Sequence, residues 1–240
     1  MSRCLGMRLF IVASLLFLTT CSKETRYKKT LIKPFHVVDA QNLCLKGDNW
    51  VTVLRGKRPL VLSAPHAFPV SRKKGKYADQ GTGELAVLLH RLTDVTVIYT
   101  SGEPPCDPNN DDENAYKKAL TSLINEIKPK LVIDLHRAHQ SRPFDIDYGT
   151  LHGLSCRRRT LNKITACFRE EGLNNFSSNV FSASKNLTVT KWAYRHRIEA
   201  FQLEINSTWL DFNGDPLSQQ RFAQLLQGLT IFIMQAATVP

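Results

Sequence analysis

Leu131-Val132-Ile133-Asp134-Leu135-His136 is a short apolar run that ends in an acid and an imidazole. Pro129 bounds it upstream, and it reads as a buried strand. Leu60-Val61-Leu62-Ser63 repeats the pattern: it is stopped by Pro65 and followed at once by His66. Ile198 to Ile205 is a third strand, with Glu204 near its end. Trp50–Leu54 and Val95–Tyr99 also read as strands. Helical patterns fall between them, over Leu85–Leu92, Asn114–Ile127, Arg157–Glu171 and Ser218–Ala236. Strands alternating with helices predict an α/β domain built on a mostly parallel or mixed sheet. In such folds ligands bind beyond the carboxyl ends of the strands. His66, Asp134, His136 and Glu204 should all reach that one edge.

The chain has 240 residues, 42% hydrophobic and 22% charged. Those proportions are ordinary for a globular protein and exclude wholesale disorder, collagen and a coiled-coil rod. A chain of this length forms a core without staples, so a metal would serve chemistry rather than folding. The net charge is +11, from 32 basic and 21 acidic residues. This excess suits anionic partners or a solvated basic surface. The dense basic runs are Arg72-Lys73-Lys74-Gly75-Lys76 and Arg157-Arg158-Arg159, without zinc-finger spacing or an aromatic-rich RNA-binding pattern. No nucleic-acid partner is expected.

Imidazoles and carboxylates converging on one sheet edge are what a catalytic zinc site requires: three N/O ligands and an open position for water. His66 and His136 supply two ligands, and the third should be a carboxylate. Asp79 and Glu84 both lie in Ala78-Asp79-Gln80-Gly81-Thr82-Gly83-Glu84, at the approach to a helix. Asp79 is preferred because it belongs to the loop, whereas the helix dipole favours an acid such as Glu84 in the first turn. Gly81-x-Gly83-x-x-Ala86 imitates a dinucleotide-binding loop but follows a basic, polar stretch rather than an apolar strand. No Gly-x-Ser-x-Gly motif supports a serine nucleophile.

Ser63-Ala-Pro-His66, Asp79-x-Gly-Thr82, Asp107-x-Asn109, Asp134-Leu-His136 and Gln202-Leu-Glu204 occur in the order seen in N-formylglutamate amidohydrolases. The chain resembles that family, within the wider zinc carboxypeptidase-like hydrolases, over residues 55–210. The resemblance implies a three-layer α/β/α sandwich of phosphorylase/hydrolase type. It implies zinc held by His66, His136 and Asp79 or Glu84, with Glu204 as general base. It places Asp107 and Asn109 on the substrate side. Asp145 and Asp147 alternate as on a strand and are candidates to line the substrate cleft, and Arg137 or Arg142 is the candidate to meet a substrate carboxylate or the oxyanion. Asn110 and Arg137 depart from the family, which usually has an arginine at the first position and a small residue at the second. The implied activity is zinc-dependent hydrolysis of an amide bond in an N-acyl amino acid or small peptide. The alternatives are a carboxypeptidase or amidase acting on peptidoglycan stems, and a silent binding protein on the same fold.

Arg3 and Arg8 precede an apolar run from Leu9 to Leu18, too short for the ~20 residues that span a bilayer. A basic flank followed by such a run reads as a signal peptide over residues 1–20. Leu18-Thr19-Thr20-Cys21 resembles a lipobox, so Cys21 is a candidate lipid attachment point. Residues 21–33 read as a polar tether and 34–240 as one hydrolase domain, exported to the periplasm or anchored to a membrane through Cys21. Cys156 and Cys167 lie ~16 Å apart along a continuous helix, and a disulfide needs ~7 Å, so they should not pair.

Overall fold

The central strands of the sheet present apolar residues to both faces, and each face is covered by helices. The computed structural model describes residues 49–72 and 75–236; the expected signal peptide, Cys21, the tether and Cys44 lie outside them. The strands of the sheet are β1 (Val51–Leu54), β2 (Leu60–Ala64), β5 (Thr96–Thr100), β6 (Leu131–Ala138), β7 (Ile146–Gly149), β8 (Phe176–Ser178) and β9 (Glu199–Asn206). A separate hairpin joins β3 (Val70–Arg72) to β4 (Gly75–Tyr77). The helices are α1 (Thr82–Thr93), α2 (Ala115–Ile127), α3 (Arg158–Glu170), α4 (Val189–Arg195) and α5 (Pro216–Ala236).

The sheet order is β1-β5-β2-β6-β9-β7-β8. β5, β2, β6 and β9 run parallel, β1 is antiparallel to β5, and β7 is antiparallel to β9. The sheet is therefore mixed around a parallel centre. Leu60, Leu62, Ile133, Phe201 and Leu203 face one side, where they pack with α1, α3 and α5. Val61, Ile98, Val132 and Ala200 face the other, against Tyr116 and Leu120 of α2 and Val189 and Ala193 of α4. This is the three-layer sandwich that the resemblance implied. Each fully buried leucine or phenylalanine contributes roughly 1.5–3 kcal/mol through removal from water.

Capping sets several helix limits. Asn114 accepts the Lys117 N–H and starts α2; Asp215 accepts the Ser218 N–H at 2.9 Å, and Pro216 is pre-set for the first turn of α5. The sequence reading placed that helix start at Ser218, two residues late. The alternation of Asp145 and Asp147 marks β7, but stretches of three and seven residues, β8 and α4, are too short to show a period. Cys156 and Cys167 are free and buried. Among the described residues no helix is long and apolar enough to cross a membrane.

Candidate active site

Three loops and two strands carry the polar residues to one edge. β2 ends at Ala64, Pro65 stops the chain, and His66 falls in the turn that follows. The hairpin then returns, and the Asp79 N–H donates to the His66 carbonyl at 2.8 Å. Thr82 locks the loop by donating its hydroxyl and its N–H to the Asp79 carbonyl. Gly81 is required here: its φ is +89°, and a Cβ would lie 2.4 Å from the Leu210 carbonyl oxygen. The Asp79-x-Gly-Thr82 motif is thus a device that aims Asp79 back at His66. His136 stands near the end of β6, in register with Glu204 on β9.

Asp79 Oδ2 lies 3.0 Å from His136 Nδ1 and 3.3 Å from His66 Nδ1. One ligand atom from each of these three residues falls within 4.8 Å of the others. The far side of each ring is held by another acid. His66 Nε2 is 2.8 Å from Asp107 Oδ1, and His136 Nε2 is 3.1 Å from Asp134 Oδ2. A carboxylate only accepts, so each Nε2 donates to its own acid, while both Nδ1 atoms face the Asp79 carboxylate. His66 Nδ1 is buried and makes no hydrogen bond. An orphaned imidazole nitrogen beside a second imidazole and a carboxylate oxygen fits a divalent cation. Charge agrees: Asp79, Asp107, Asp134 and Glu204 gather around only two imidazoles.

The ionisation of the cluster follows from its contacts. Burial works against charge on Asp79, but the hydrogen bond with His136 and the adjacent His66 imidazole hold its carboxyl well below the usual range. Burial likewise opposes charge on His136, and Asp134 and Asp79 override it and push the imidazole up. Burial, reinforced by the Asp79 and Asp147 carboxylates, raises Glu204 to about 7. A carboxyl group poised near neutrality suits a general base.

Outer residues fix this geometry. Ser63 donates to Asp134 Oδ1 at 2.9 Å, and the Tyr116 hydroxyl lies 3.0 Å from Ser63. Asp107 also accepts the backbone N–H groups of Asn109 and Asn110. Asn109 places its amide nitrogen 3.4 Å from His136 Nε2 and accepts from the Val189 N–H. Gln202 donates to Glu204 at 2.7 Å.

The cluster opens into a cavity of about 400 Å³ whose walls include Asn109, Arg137, His139, Arg142, Phe181 and Lys185. The Arg142 guanidinium sits 4.8 Å from the centre of the Phe181 ring. Asn206, at the end of β9, donates to the Gln140, Arg142 and Phe144 carbonyls and so clamps the loop that carries this arginine. Asp147, fully buried opposite Glu204, accepts from Ser177 and from the Val180 and Phe181 N–H groups, which pins the facing wall.

The structure brings together His66, Asp79, His136 and Glu204 and places Arg137, Arg142 and Asn109 on the cavity wall. Three residues stand elsewhere. Glu84 lies in the first turn of α1 and lines a neighbouring cavity, because helix geometry carries it past the histidines. Asp107 faces His66 rather than substrate. Asp145 accepts from the Asn174 and Asn175 N–H groups and from Trp209, so it ties loops together outside the cavity. Asp147, a cleft candidate from sequence, owes its place opposite Glu204 to the antiparallel pairing of β7 with β9, whereas Asn206 and Phe181 gained no role from sequence.

The fold can now be compared with solved structures. N-formylglutamate amidohydrolase from Ralstonia eutropha JMP134 superposes with a TM-score of 0.54 at 16% identity, over 78% of this chain and 96% of that one. The chain has the fold of that amidohydrolase. The gene product Atu2144 of Agrobacterium tumefaciens superposes with a TM-score of 0.50 at 13% identity, over 77% of this chain and 94% of that one. No protein-family model and no curated protein sequence matches the chain. The resemblance first drawn from scattered motifs therefore holds at the level of the fold.

Proposed function

We propose that this chain is a zinc-dependent hydrolase that cleaves an amide bond in an N-acyl amino acid or small peptide. The observation that carries the reading is the pair of imidazole Nδ1 atoms turned on one Asp79 oxygen, with Glu204 across the strand register. His66, His136 and Asp79 would hold the ion. When bound it supplies a Lewis acid that polarises a carbonyl and acidifies water.

The chain's own groups do the remaining work. Glu204 takes a proton from the attacking water and delivers it to the leaving nitrogen. Asp107 and Asp134 keep the ring nitrogens oriented. Arg142, steadied on Phe181 and by the Asn206 clamp, offers paired N–H donors to an oxygen anion on the substrate. Arg137 lines a neighbouring cavity as well as this one, which suits it less for that task. The first 21 residues support a further part of the proposal: the chain acts after export.

The test begins with the metal content of the purified full chain and of His66→Ala and His136→Ala. Zinc near one equivalent in the wild type, lost in both variants, is expected. A panel of N-acyl amino acids and muropeptides is then tested with and without chelator. Negligible metal in the wild type, or metal indifferent to both substitutions, rules the reading out.

A further inference from the structure

The amino ends of the parallel strands carry a second charged surface, at the opposite edge of the sheet from the histidines. β6 alone is eight residues long, so the two edges are separated by roughly 25 Å. Two adjoining cavities open there, of about 440 and 670 Å³, and they share Arg157, Arg197, Ile198 and Glu199. Lys130, Arg159 and Lys163 line the first and Arg158 the second. All six cations are exposed. Glu199 is the only acid in either lining, and it is engaged by Arg157, whose N–H it accepts at 2.9 Å and whose Nε lies 3.5 Å away.

Two features separate this surface from a merely solvated one. First, Arg158 and Arg159 occupy the opening turn of α3, which holds no acid. Cations at that end oppose the helix dipole. They lower helix stability, and among the described residues lining the two cavities the one acid, Glu199, is already engaged by Arg157. Second, Leu154 and Tyr194 line the same cavity as Arg158 and are 69% and 42% exposed. They are two of only five large apolar residues exposed among those described. Cations around a protruding leucine and a tyrosine are the chemistry of an interface with anionic lipid: the charges meet headgroups, and the apolar side chains enter the layer below.

We propose that this edge, centred on Arg157–Arg159, Arg197, Leu154 and Tyr194, docks on a bilayer bearing anionic headgroups. A domain seated this way turns its candidate active site away from the membrane, toward soluble or peptide substrates. The inference is independent of the catalytic reading.

Vesicle sedimentation of the full chain tests it. Phosphatidylcholine vesicles are compared with vesicles containing equal parts of phosphatidylcholine and phosphatidylglycerol. The apolar run at residues 9–18 is present in every arm, so the difference between the two vesicles is the readout. Binding at least tenfold tighter to the anionic vesicles is expected, and 1 M salt, with a screening length of about 3 Å, should abolish the difference. The double variant R158E/R159E should lose tenfold or more of the anionic preference, and K163E several-fold. Acids suit the opening turn of a helix, so the double variant should melt no lower than wild type, which separates lost binding from lost folding. Leu154→Ser should weaken binding several-fold. Equal binding to both vesicles, or indifference to the charge reversals, overturns the proposal. So does an unaffected Leu154→Ser, which removes apolar insertion. Polyphosphate bound with the same dependence on Arg158 and Arg159, without binding to anionic vesicles, overturns it in favour of a soluble polyanion.

Discussion

At the carboxyl ends of β2, β6 and β9, Asp79, Asp134, His66, His136 and Glu204 are buried against one another. At the amino ends of the same strands, Arg157, Arg158, Arg159 and Arg197 stand in solvent beside a single acid. The contrast shows what burial demands. A buried charge needs a partner at hydrogen-bond distance, so each group on the first edge fixes its neighbour's position to within ångströms. Exposed like charges impose no such geometry; they produce a field and a surface. The first edge suits chemistry on one bond, and the second suits contact with an extended partner.

The largest effect should come from Glu204. In the metal-loaded protein, Glu204→Gln keeps size and hydrogen-bonding capacity but cannot accept the water proton. A fall in kcat of about 10²–10⁴-fold with unchanged metal content is expected. Turnover within threefold of wild type would remove Glu204 from the mechanism and reduce the first edge to a binding site.

The same residue makes stability depend on pH once a chelator has removed metal. The folded state holds the Glu204 proton up to about pH 7, whereas the unfolded chain releases it near 4.5. Between those values the folded state binds more protons, so stability falls as pH rises through the window, by about 3 kcal/mol from this group. Urea unfolding of chelated wild type and Glu204→Gln at several pH values should show that slope in the first and a flatter one in the second. Identical slopes would mean that Glu204 is not held in its neutral form.

Asp107 sharpens the contrast further, because its value lies in orienting a ring rather than in charge. Asp107→Asn retains the carbonyl acceptor for His66 and for the loop N–H groups but weakens their hold. Metal affinity should drop about 10–100-fold, read by competition with a chromophoric chelator. An unchanged affinity would leave Asp107 a loop cap only.

What the sequence revealed of the first edge reflects the range of each interaction. His66, His136 and Glu204 follow from local facts: an apolar run, its end, and the polar residue found there. Asp79 follows from a motif whose physical basis, a left-handed Gly81 and a threonine bonded to the Asp79 carbonyl, is also local. Asp107 was legible as a functional position but not in its role, since its partner His66 lies in another loop. Asp147's place opposite Glu204 was illegible because it depends on β7, a four-residue strand inserted antiparallel beside β9, and Asn206 acts through loop carbonyls that only the fold brings to it. At the amino edge the Arg157–Arg159 run was visible, but its meeting with Leu154, Tyr194 and Arg197 needed the fold.

The smallest effect belongs to that amino edge. Arg159→Glu exchanges a cation for an acid in the first turn of α3, where the dipole favours the acid by about 0.3–1 kcal/mol. Chemical denaturation should therefore find the variant equal to wild type or more stable by that amount. Asp134→Asn on β6, with its wild-type carboxylate fully buried between Ser63 and His136, should instead destabilise the fold. If Arg159→Glu costs more than about 1 kcal/mol, Arg159 is engaged by the folded domain, and the amino edge is not the free cationic surface that the contrast describes. If it stabilises, the arginine is held there at the expense of the helix, as expected of a side chain whose partner lies outside the chain.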